Sequence, residues 1–188
     1  MDRSADALRI REINLKPFRN FEHKCLLLDA DQVLISGANG LGKSNILEAI
    51  SYLSIGKSVR GSRDHTAIPH GGEFFDIEAR CDDGISERAL RIFFAKGGGK
   101  KSFCDQSPMS RVSDLLGVLL TVHFAPEDVS LVLRFPAERR RALDILISQA
   151  STAYLTDLQQ YNKVLAHRNR ALRLVGRESR DCLLYTSP

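Results

Sequence analysis

The chain has 188 residues, a hydrophobic fraction of 43% and a formal net charge of +4 at pH 7. This length suits one ordinary domain or slightly more, and the hydrophobic fraction allows a buried core and does not indicate intrinsic disorder. No run of about 18 apolar residues is present, so no transmembrane helix is expected. The four cysteines are scattered without a Cys-x-x-Cys pair, which argues against a zinc site or a disulfide framework. Together with a polar beginning unlike a signal peptide, this favours a protein of the reducing cytoplasm.

The first part of the chain predicts three short strands, a glycine-rich loop and a helix. Residues 8–15 alternate between apolar and polar side chains, as in a strand with one buried face. Residues 26–28 and 33–35 are further short apolar runs that favour strands. Residues 44–53 place apolar side chains at helical spacing, so we expect a strand, a loop and a helix in immediate succession around residues 37–44.

The loop at residues 37–44 matches the P-loop pattern G-x-x-x-x-G-K-[ST] at every fixed position. Its glycines let backbone N–H groups curve around a phosphate, and the N-terminus of the next helix adds unpaired donors and a partial positive charge. We expect Lys43 to reach the β- and γ-phosphates and the Ser44 hydroxyl to hold Mg²⁺. The sequence therefore predicts a nucleotide-binding protein.

The remaining chain predicts an antiparallel region followed by helices. Alternating runs flank Asp82-Asp83-Gly84, which is a typical hairpin turn. The last long segment, from Thr152 to about Val175, carries one apolar stripe, which predicts a helix that packs on one side. The predicted elements are strands at 74–80, 88–95, 101–104 and 118–124, a turn at 97–99, a short helix at 113–116 capped by Ser113, and helices that begin at 125–128, 136 and 152.

Positive charge is concentrated towards the end of the chain. Residues 134–180 carry nine Arg and one Lys against four acidic residues, a balance of +6 that exceeds the +4 of the whole chain. Such a face is expected of a protein that binds the phosphate backbone of nucleic acid. An ordinary solvated helix surface gives the same pattern, so charge alone leaves both interpretations open.

Several motifs in a fixed order resemble the heads of SMC-like ATPases. They are Phe18-Arg19-Asn20-Phe21, the P-loop running into Asn45-Ile46-Leu47-Glu48-Ala49-Ile50, and Gly56-Lys57-Ser58-Val59-Arg60. The resemblance narrows to the RecF family through Phe124-Ala125-Pro126-Glu127-Asp128, Glu138-Arg139-Arg140-Arg141-Ala142-Leu143-Asp144 and residues 161–169. It covers roughly residues 8–173, which is nearly the whole chain.

RecF proteins are cytoplasmic ATPases that bind DNA, help to load recombinase at single-strand gaps and take part in replication, recombinational repair and the SOS response. The resemblance implies an α/β P-loop NTPase fold of the ABC and SMC-head type, in which lobe one has an antiparallel β-subdomain and leads into a helical second lobe. It also implies ATP and Mg²⁺ as ligands, with DNA and recombinase-loader proteins as partners. ATP joins two heads of the family into a homodimer, and each site is closed by the signature motif of the other head.

The resemblance also assigns roles by position. Arg19 and Arg60 match basic residues that approach the nucleotide phosphates, and both lie in loops that are predicted beside the P-loop. Arg139, Arg140, Arg141, Arg168 and Arg170 are candidate DNA contacts, although the first three could instead form a salt-bridge cluster with Glu138 and Asp144. The full set of expected ATP contacts is Gly37, Ala38, Asn39, Gly40, Leu41, Gly42, Lys43, Ser44, Asn45, Arg19 and Arg60, with Ser44 holding Mg²⁺.

The sequence departs from the family pattern in two places. No Gln stands near Pro126-Glu127-Asp128, where relatives carry one that senses Mg²⁺ and the γ-phosphate. No apolar run ending in Asp-Glu is present for hydrolysis, and Leu53-Ser54-Ile55-Gly56 lies in the wrong lobe to be the ABC signature. We therefore expect weak ATP binding without hydrolysis and without the ATP-joined dimer.

The domain boundaries follow from these motifs. We expect an N-terminal half of an ATPase lobe at 1–148, the start of helical lobe two at 149–181 and a non-native tail at 182–188. That tail breaks the helical pattern and resembles the translated read-through of a sequencing adapter, so the chain is interpreted as an N-terminal fragment. Two alternatives remain open: another SMC-like DNA-acting ATPase, such as a phage-defence protein of the overcoming-lysogenization type, or a P-loop small-molecule kinase.

Overall fold

The computed structural model describes residues 8–126, 128–129 and 135–184, with side chains as far as residue 174. Two short 3₁₀ helices span Asp64–Ala67 and Val112–Leu115. The strands are β1 (Arg9–Leu15), β2 (Lys24–Leu27), β3 (Phe74–Asp82), β4 (Glu87–Ala95), β5 (Gly99–Cys104) and β6 (Ser107–Pro108). The helices are α1 (Lys43–Ile55), α2 (Pro136–Ala150) and α3 (Thr152–Leu184).

The six strands form one antiparallel sheet in the order β2-β1-β3-β4-β5-β6. In β3 every second side chain is buried, so one face of the sheet forms the core and the other faces solvent. Asp83 sets the β3–β4 turn, because its Oδ1 accepts hydrogen bonds from the N–H groups of Ile85 and Ser86 at 2.9 and 2.8 Å. The predicted hairpin and the predicted strand after the glycine turn are both confirmed.

Helix α1 packs on the buried face of the sheet through a cluster of aromatic rings. Tyr52 is fully buried, and its ring centroid lies 5.8 Å from that of Phe18 and 5.1 Å from that of Phe75. Edge-to-face pairs of this kind contribute about 0.5–1.5 kcal/mol each beyond the area they bury. Because α1 directly follows the P-loop, this packing fixes the loop against the sheet.

A buried polar contact joins the C-terminal end of α1 to α2. Ser54 is fully buried and its hydroxyl donates to the carbonyl oxygen of Leu119 at 2.8 Å. The amide of Gln149 in α2 pairs with the backbone of Thr121, accepting from its N–H at 2.9 Å and donating to its carbonyl at 3.2 Å. Ser54 therefore has a structural role, which agrees with rejecting residues 53–56 as an ABC signature.

Two of the predicted strands are wrong. Residues 33–35 and 118–124 have no strand partner among the residues that the structure describes. Several of their apolar side chains lie in solvent, with Leu34 90% and Val122 86% exposed, whereas Leu119 is buried in the core. Strand propensity takes effect only when a neighbouring strand supplies hydrogen bonds and a surface for packing. The P-loop thus follows an irregular segment instead of the predicted strand.

The predicted cap of the helix at 113–116 is also wrong. The structure has a 3₁₀ helix at Val112–Leu115, and the carboxylate of Asp114 accepts from the backbone N–H of Arg111 at 2.9 Å. A carboxylate accepts this charge-assisted bond more strongly than a Ser113 hydroxyl would, so the helix begins one residue earlier than predicted.

The helices towards the end of the chain agree with the predictions except at their boundaries. Helix α2 is confirmed, but α3 continues to Leu184, so the predicted end of the helix at about residue 175 is wrong. Cys182, Leu183 and Leu184 include neither Gly nor Pro, and nothing in their backbone opposes continuation of the helix. Of the helix predicted at 125–128, Glu127 lies outside the described residues, while Pro126 and Asp128 have 3₁₀ conformation.

Within the described part of the chain, no helix combines the length and the apolar character needed to cross a membrane. Cys25, Cys81 and Cys104 are free thiols, and burial raises the pKa of the Cys81 thiol to about 12.

Candidate nucleotide-binding site

The P-loop has a backbone conformation that requires glycine at several positions. Gly37, Gly40 and Gly42 have φ angles of 148°, 87° and 93°, which residues with a Cβ rarely adopt. Gly42 is also closely packed, because a Cβ there would lie 2.5 Å from Oδ1 of Asn20 and 2.7 Å from Cζ of Phe21. The loop Phe18–Phe21 thus packs directly against the end of the P-loop, and only glycine fits the contact.

Helix α1 begins at Lys43 with an end suited to an anion. Gly42 is its N-cap, and in this described segment the first turn has neither a side-chain cap nor an acidic residue. Unpaired N–H groups and the positive end of the helix dipole both favour a phosphate at this position. The Lys43 ammonium donates to the carbonyl oxygens of Gly37 and Ala38 at 2.7 and 2.8 Å, so it lies across the loop. Ser44 is exposed beside it.

The most strongly bound group near the loop is the carboxylate of Glu48 on α1, which is fully buried. Arg19 approaches it with two donors, Nε to Oε2 at 3.0 Å and Nη2 to Oε1 at 2.6 Å. The hydroxyl of Ser58 donates to Oε1 at 2.5 Å. Burial acts to raise the pKa of the Glu48 carboxyl, but the hydrogen bonds from Arg19 and Ser58 and the charges of Arg19 and Arg60 outweigh it, so that pKa lies below its ordinary value. Glu48 is therefore a carboxylate at neutral pH.

Arg60 connects this carboxylate to the P-loop. Its Nη1 lies 3.5 Å from Oε2 of Glu48 and donates to Oδ1 of Asn45 at 3.2 Å. Asn45, in the first turn of α1, donates to Oδ1 of Asn20 at 2.8 Å, and Asn20 donates to the carbonyl of Leu41 at 3.2 Å. A continuous chain of polar contacts thus runs from the P-loop through two asparagines to Arg60 and Glu48.

The comparison with known families agrees with this geometry. The sequence model described as an AAA domain matches residues 12–169. The chain belongs to this AAA domain family. Within it, the resemblance to RecF and the fold of the P-loop and SMC-head type are both confirmed.

Curated proteins named DNA replication and repair protein RecF are similar in sequence to nearly the whole of this chain. The protein from Geobacillus thermodenitrificans is 38% identical over 173 residues, which are 92% of this chain and 46% of that protein. The protein from Carboxydothermus hydrogenoformans is 39% identical over 174 residues, with 88% and 46% covered. The chain spans about half the length of the curated relatives it matches.

Solved structures give the same result. The structure of the recombination mediator protein RecF-ATP in the RecFOR pathway matches with a TM-score of 0.84 and 34% identity, over 90% of this chain and 47% of that chain. An SMC ATPase structure matches with a TM-score of 0.57 and 23% identity over 76% of this chain and 99% of that chain, which shows a shared fold alone.

The AAA domain brings some of the predicted site residues together and leaves others apart. Arg19 and Arg60 converge on Glu48, close to the P-loop, as their predicted positions in neighbouring loops require. The candidate DNA-binding residues Arg139, Arg140 and Arg141 are exposed on α2, and Arg168 and Arg170 are exposed on α3.

The charge of one of these arginines affects the loop after α1. Burial lowers the pKa of Lys57, and the positive charges of Arg141 and Lys100 lower it further. The positive charge of Arg141 on α2 thus acts on the same loop that carries Arg60. Asp144 is the other candidate salt-bridge partner for these arginines. Its Oδ1 accepts a hydrogen bond from the Tyr154 hydroxyl at 2.6 Å.

Sequence reasoning missed the polar residues that organise the site of this AAA domain. Asn20, Glu48, Ser58 and Ser62 all contact the arginines or the P-loop, yet none was predicted to do so. One signal was available for Glu48: it is an acidic residue among the core positions of a short helix, where an unpaired charge is not tolerated. That observation requires a cationic partner but does not say which residue supplies it.

Proposed function

We propose that this chain is the nucleotide-binding part of a RecF-like protein in which ATP binding controls DNA binding during DNA replication and repair. The observation that carries the proposal is the P-loop, with the Lys43 ammonium lying across its carbonyl groups at 2.7 and 2.8 Å. The support from comparison is the 34% identity to the RecF-ATP structure over 90% of this chain.

The described residues suit a nucleoside triphosphate with its Mg²⁺. The glycine loop and the first turn of α1 offer backbone N–H groups to the phosphates, and Lys43 exchanges the loop carbonyls for phosphate oxygens. The Ser44 hydroxyl would hold Mg²⁺, which neutralises phosphate charge when it is bound. Arg60 adds a guanidinium whose side chain is 45% exposed and therefore accessible to an anion.

In this proposal ATP acts as a switch for a larger protein. Binding energy differs between separated and joined heads, so ATP shifts the population towards an ATP-dependent homodimer. The chain supplies the P-loop side of the site and does not hydrolyse ATP by itself, because its sequence has no apolar run ending in Asp-Glu. Recombinase loading at single-strand gaps, a role in the SOS response, contact with loader proteins and a cytoplasmic location are the finer parts of the same proposal.

DNA contacts are assigned to the arginines of α2 and α3. All five candidates are exposed and belong to a segment with a charge balance of +6. Backbone electrostatics of this kind give salt-sensitive binding with little sequence preference.

Equilibrium binding of a fluorescent ATP analogue with Mg²⁺ tests the nucleotide part of the proposal. We expect saturable binding by the chain and loss of binding in Lys43→Ala, because that variant removes the cation of the P-loop. Lys101→Ala, at an exposed position of strand β5, is a control that removes equal charge and should bind the ATP analogue normally. Binding that Lys43→Ala leaves unchanged, or no saturable binding, would contradict the proposal.

A further inference from the structure

Glu48 makes very different contacts with the two arginines that converge on it. Arg19 is held at every donor group: Nε and Nη2 contact Glu48, Nη2 also donates to Ser62 at 2.9 Å, and Nη1 donates to the carbonyl of Thr66 at 2.7 Å. Its side chain is only 18% exposed. Four of the five N–H donors of Arg19 thus have protein acceptors at 3.0 Å or less, and the fifth reaches only the Thr66 hydroxyl at 3.5 Å, so Arg19 has little capacity left for a ligand.

Arg60 is held loosely by comparison. Its contact with Glu48 is 3.5 Å, its hydrogen bond to Asn45 is 3.2 Å, and its side chain is 45% exposed. One carboxylate therefore faces two guanidinium groups, and the local charge that remains is positive and lies on Arg60. A guanidinium with long contacts and solvent access is the one that a polyphosphate can recruit.

The chain segments that supply hydrogen bonds to Glu48 support a positioning role for this carboxylate. Its donors come from two separate segments, since Arg19 lies between β1 and β2 while Ser58 and Ser62 belong to the loop after α1. The same loop carries Arg60, whose N–H donates to the Ser58 hydroxyl at 3.1 Å. Fixing Ser58 therefore fixes the start of the Arg60 side chain, and α1 places Glu48 on the same helix as Lys43.

We propose that Glu48 is a positioning residue of the nucleotide site, which locks Arg19 as a structural support and holds Arg60 ready to transfer to the phosphates of a bound nucleotide. This assignment rests on the proposed function, and it changes the role of Arg19 from a nucleotide contact to a structural one. The ligand is an anionic polyphosphate, with MgATP as the probe.

The sign of the effect of Glu48→Gln separates positioning from simple electrostatics. Removing a negative charge near the P-loop should strengthen anion binding if charge alone matters. Loss of positioning should weaken MgATP binding by roughly tenfold, the effect of one charge-assisted hydrogen bond. Asp76→Asn is a matched control, because Asp76 accepts two bonds from Arg91 at 2.8 and 2.6 Å in the β3–β4 hairpin.

A double-mutant cycle tests whether Glu48 acts through Arg60. We expect Arg60→Ala to weaken MgATP binding and Glu48→Gln to add nothing in the Arg60→Ala background. A general structural defect would weaken binding equally in both backgrounds, and that additive result would overturn the assignment. Stronger binding by Glu48→Gln would also overturn it.

Two further measurements keep the outcomes distinct. In the wild-type chain, the hydrogen exchange of residues 58–62 should slow when MgATP is added, while exchange at Arg19 should not change. Equal changes at both places, or no change at either, would overturn the assignment even if Glu48→Gln fails to fold.

The Lys43→Ala variant shows whether a failure concerns the proposed function or only the role of Glu48. If the wild-type chain does not bind MgATP, the proposed function fails and this inference fails with it. If the wild-type chain binds, Lys43→Ala does not and the cycle is additive, only the role of Glu48 is wrong.

Discussion

Arg19 and Glu48 form a two-point ion pair against the core, with Nε–Oε2 at 3.0 Å and Nη2–Oε1 at 2.6 Å. The backbone of Arg19 has a φ of 54°, an uncommon conformation for a residue with a side chain. Its N–H also donates to the carbonyl of Ala67 at 2.8 Å. Contacts on both the backbone and the side chain therefore hold this residue in a strained conformation, as is typical of functional sites.

Arg19→Ala should destabilise the chain severely. The variant leaves the buried Glu48 carboxylate without its main partner, which typically costs about 3–5 kcal/mol, a large share of the stability of a domain. Urea denaturation followed by circular dichroism measures the loss. The control is Arg9→Ala, which breaks a pair with Asp31 whose side chains are 66% and 86% exposed and should cost about 0–1 kcal/mol. Equal losses in the two variants would contradict the assignment of Arg19 as a structural support.

Glu48 should make stability fall in acid. Its pKa is lowered in the folded chain from an ordinary value of 4.5, so its contribution is complete above about pH 4.5 and disappears as the pH falls through the lower folded value. The pKa values of Glu12, Asp82 and Asp83 are lowered too, so the wild type alone does not isolate one group. The difference in unfolding free energy between wild type and Glu48→Gln does isolate it. That difference should shrink as the pH is lowered from 6 to well below 4.5, and a constant difference would contradict the prediction.

Gly42→Ala should lower the unfolding temperature more than Gly40→Ala, although both glycines have positive φ angles, 93° and 87°. A Cβ at Gly40 meets nothing within 4 Å, so only the conformational cost of roughly 1–2 kcal/mol applies. A Cβ at Gly42 displaces Asn20, whose amide contacts Leu41 and Asn45. Thermal unfolding compares the two variants, with Gly84→Ala as a control in the β3–β4 turn, where a Cβ also meets nothing. Similar unfolding temperatures for all three variants would contradict this reasoning.

The features that sequence analysis predicted correctly depend on residues close together in the chain. The P-loop is set by glycines and a lysine within eight positions, and the β3–β4 hairpin by alternation around an Asp-Gly turn. Both the P-loop and the hairpin form hydrogen bonds within their own residues, so local sequence is sufficient to predict them. Helices α1 and α2 were predictable for the same reason.

The errors arise where distant residues decide the outcome. Residues 33–35 and 118–124 have the apolar composition of strands, but a strand forms only against a partner that no local pattern reveals. The role of Glu48 depends on Arg19, 29 positions earlier, and on Ser58, 10 positions later. Family resemblance predicted both arginines as nucleotide contacts, and only the geometry distinguishes the tightly held Arg19 from the loosely held Arg60.

Arg140→Ala and Arg141→Ala should weaken DNA binding without changing sequence preference. Both side chains are exposed on α2, and an arginine that contacts a phosphate contributes about one unit to the slope of log affinity against log salt concentration. Fluorescence anisotropy with a labelled gapped duplex, measured over a range of salt concentrations, gives this slope for each variant. Lys101→Ala on strand β5 removes the same charge elsewhere and should leave the slope unchanged. A slope that falls equally in all three variants would indicate a diffuse effect of net charge, and the assignment of α2 to the DNA-binding surface would then be wrong.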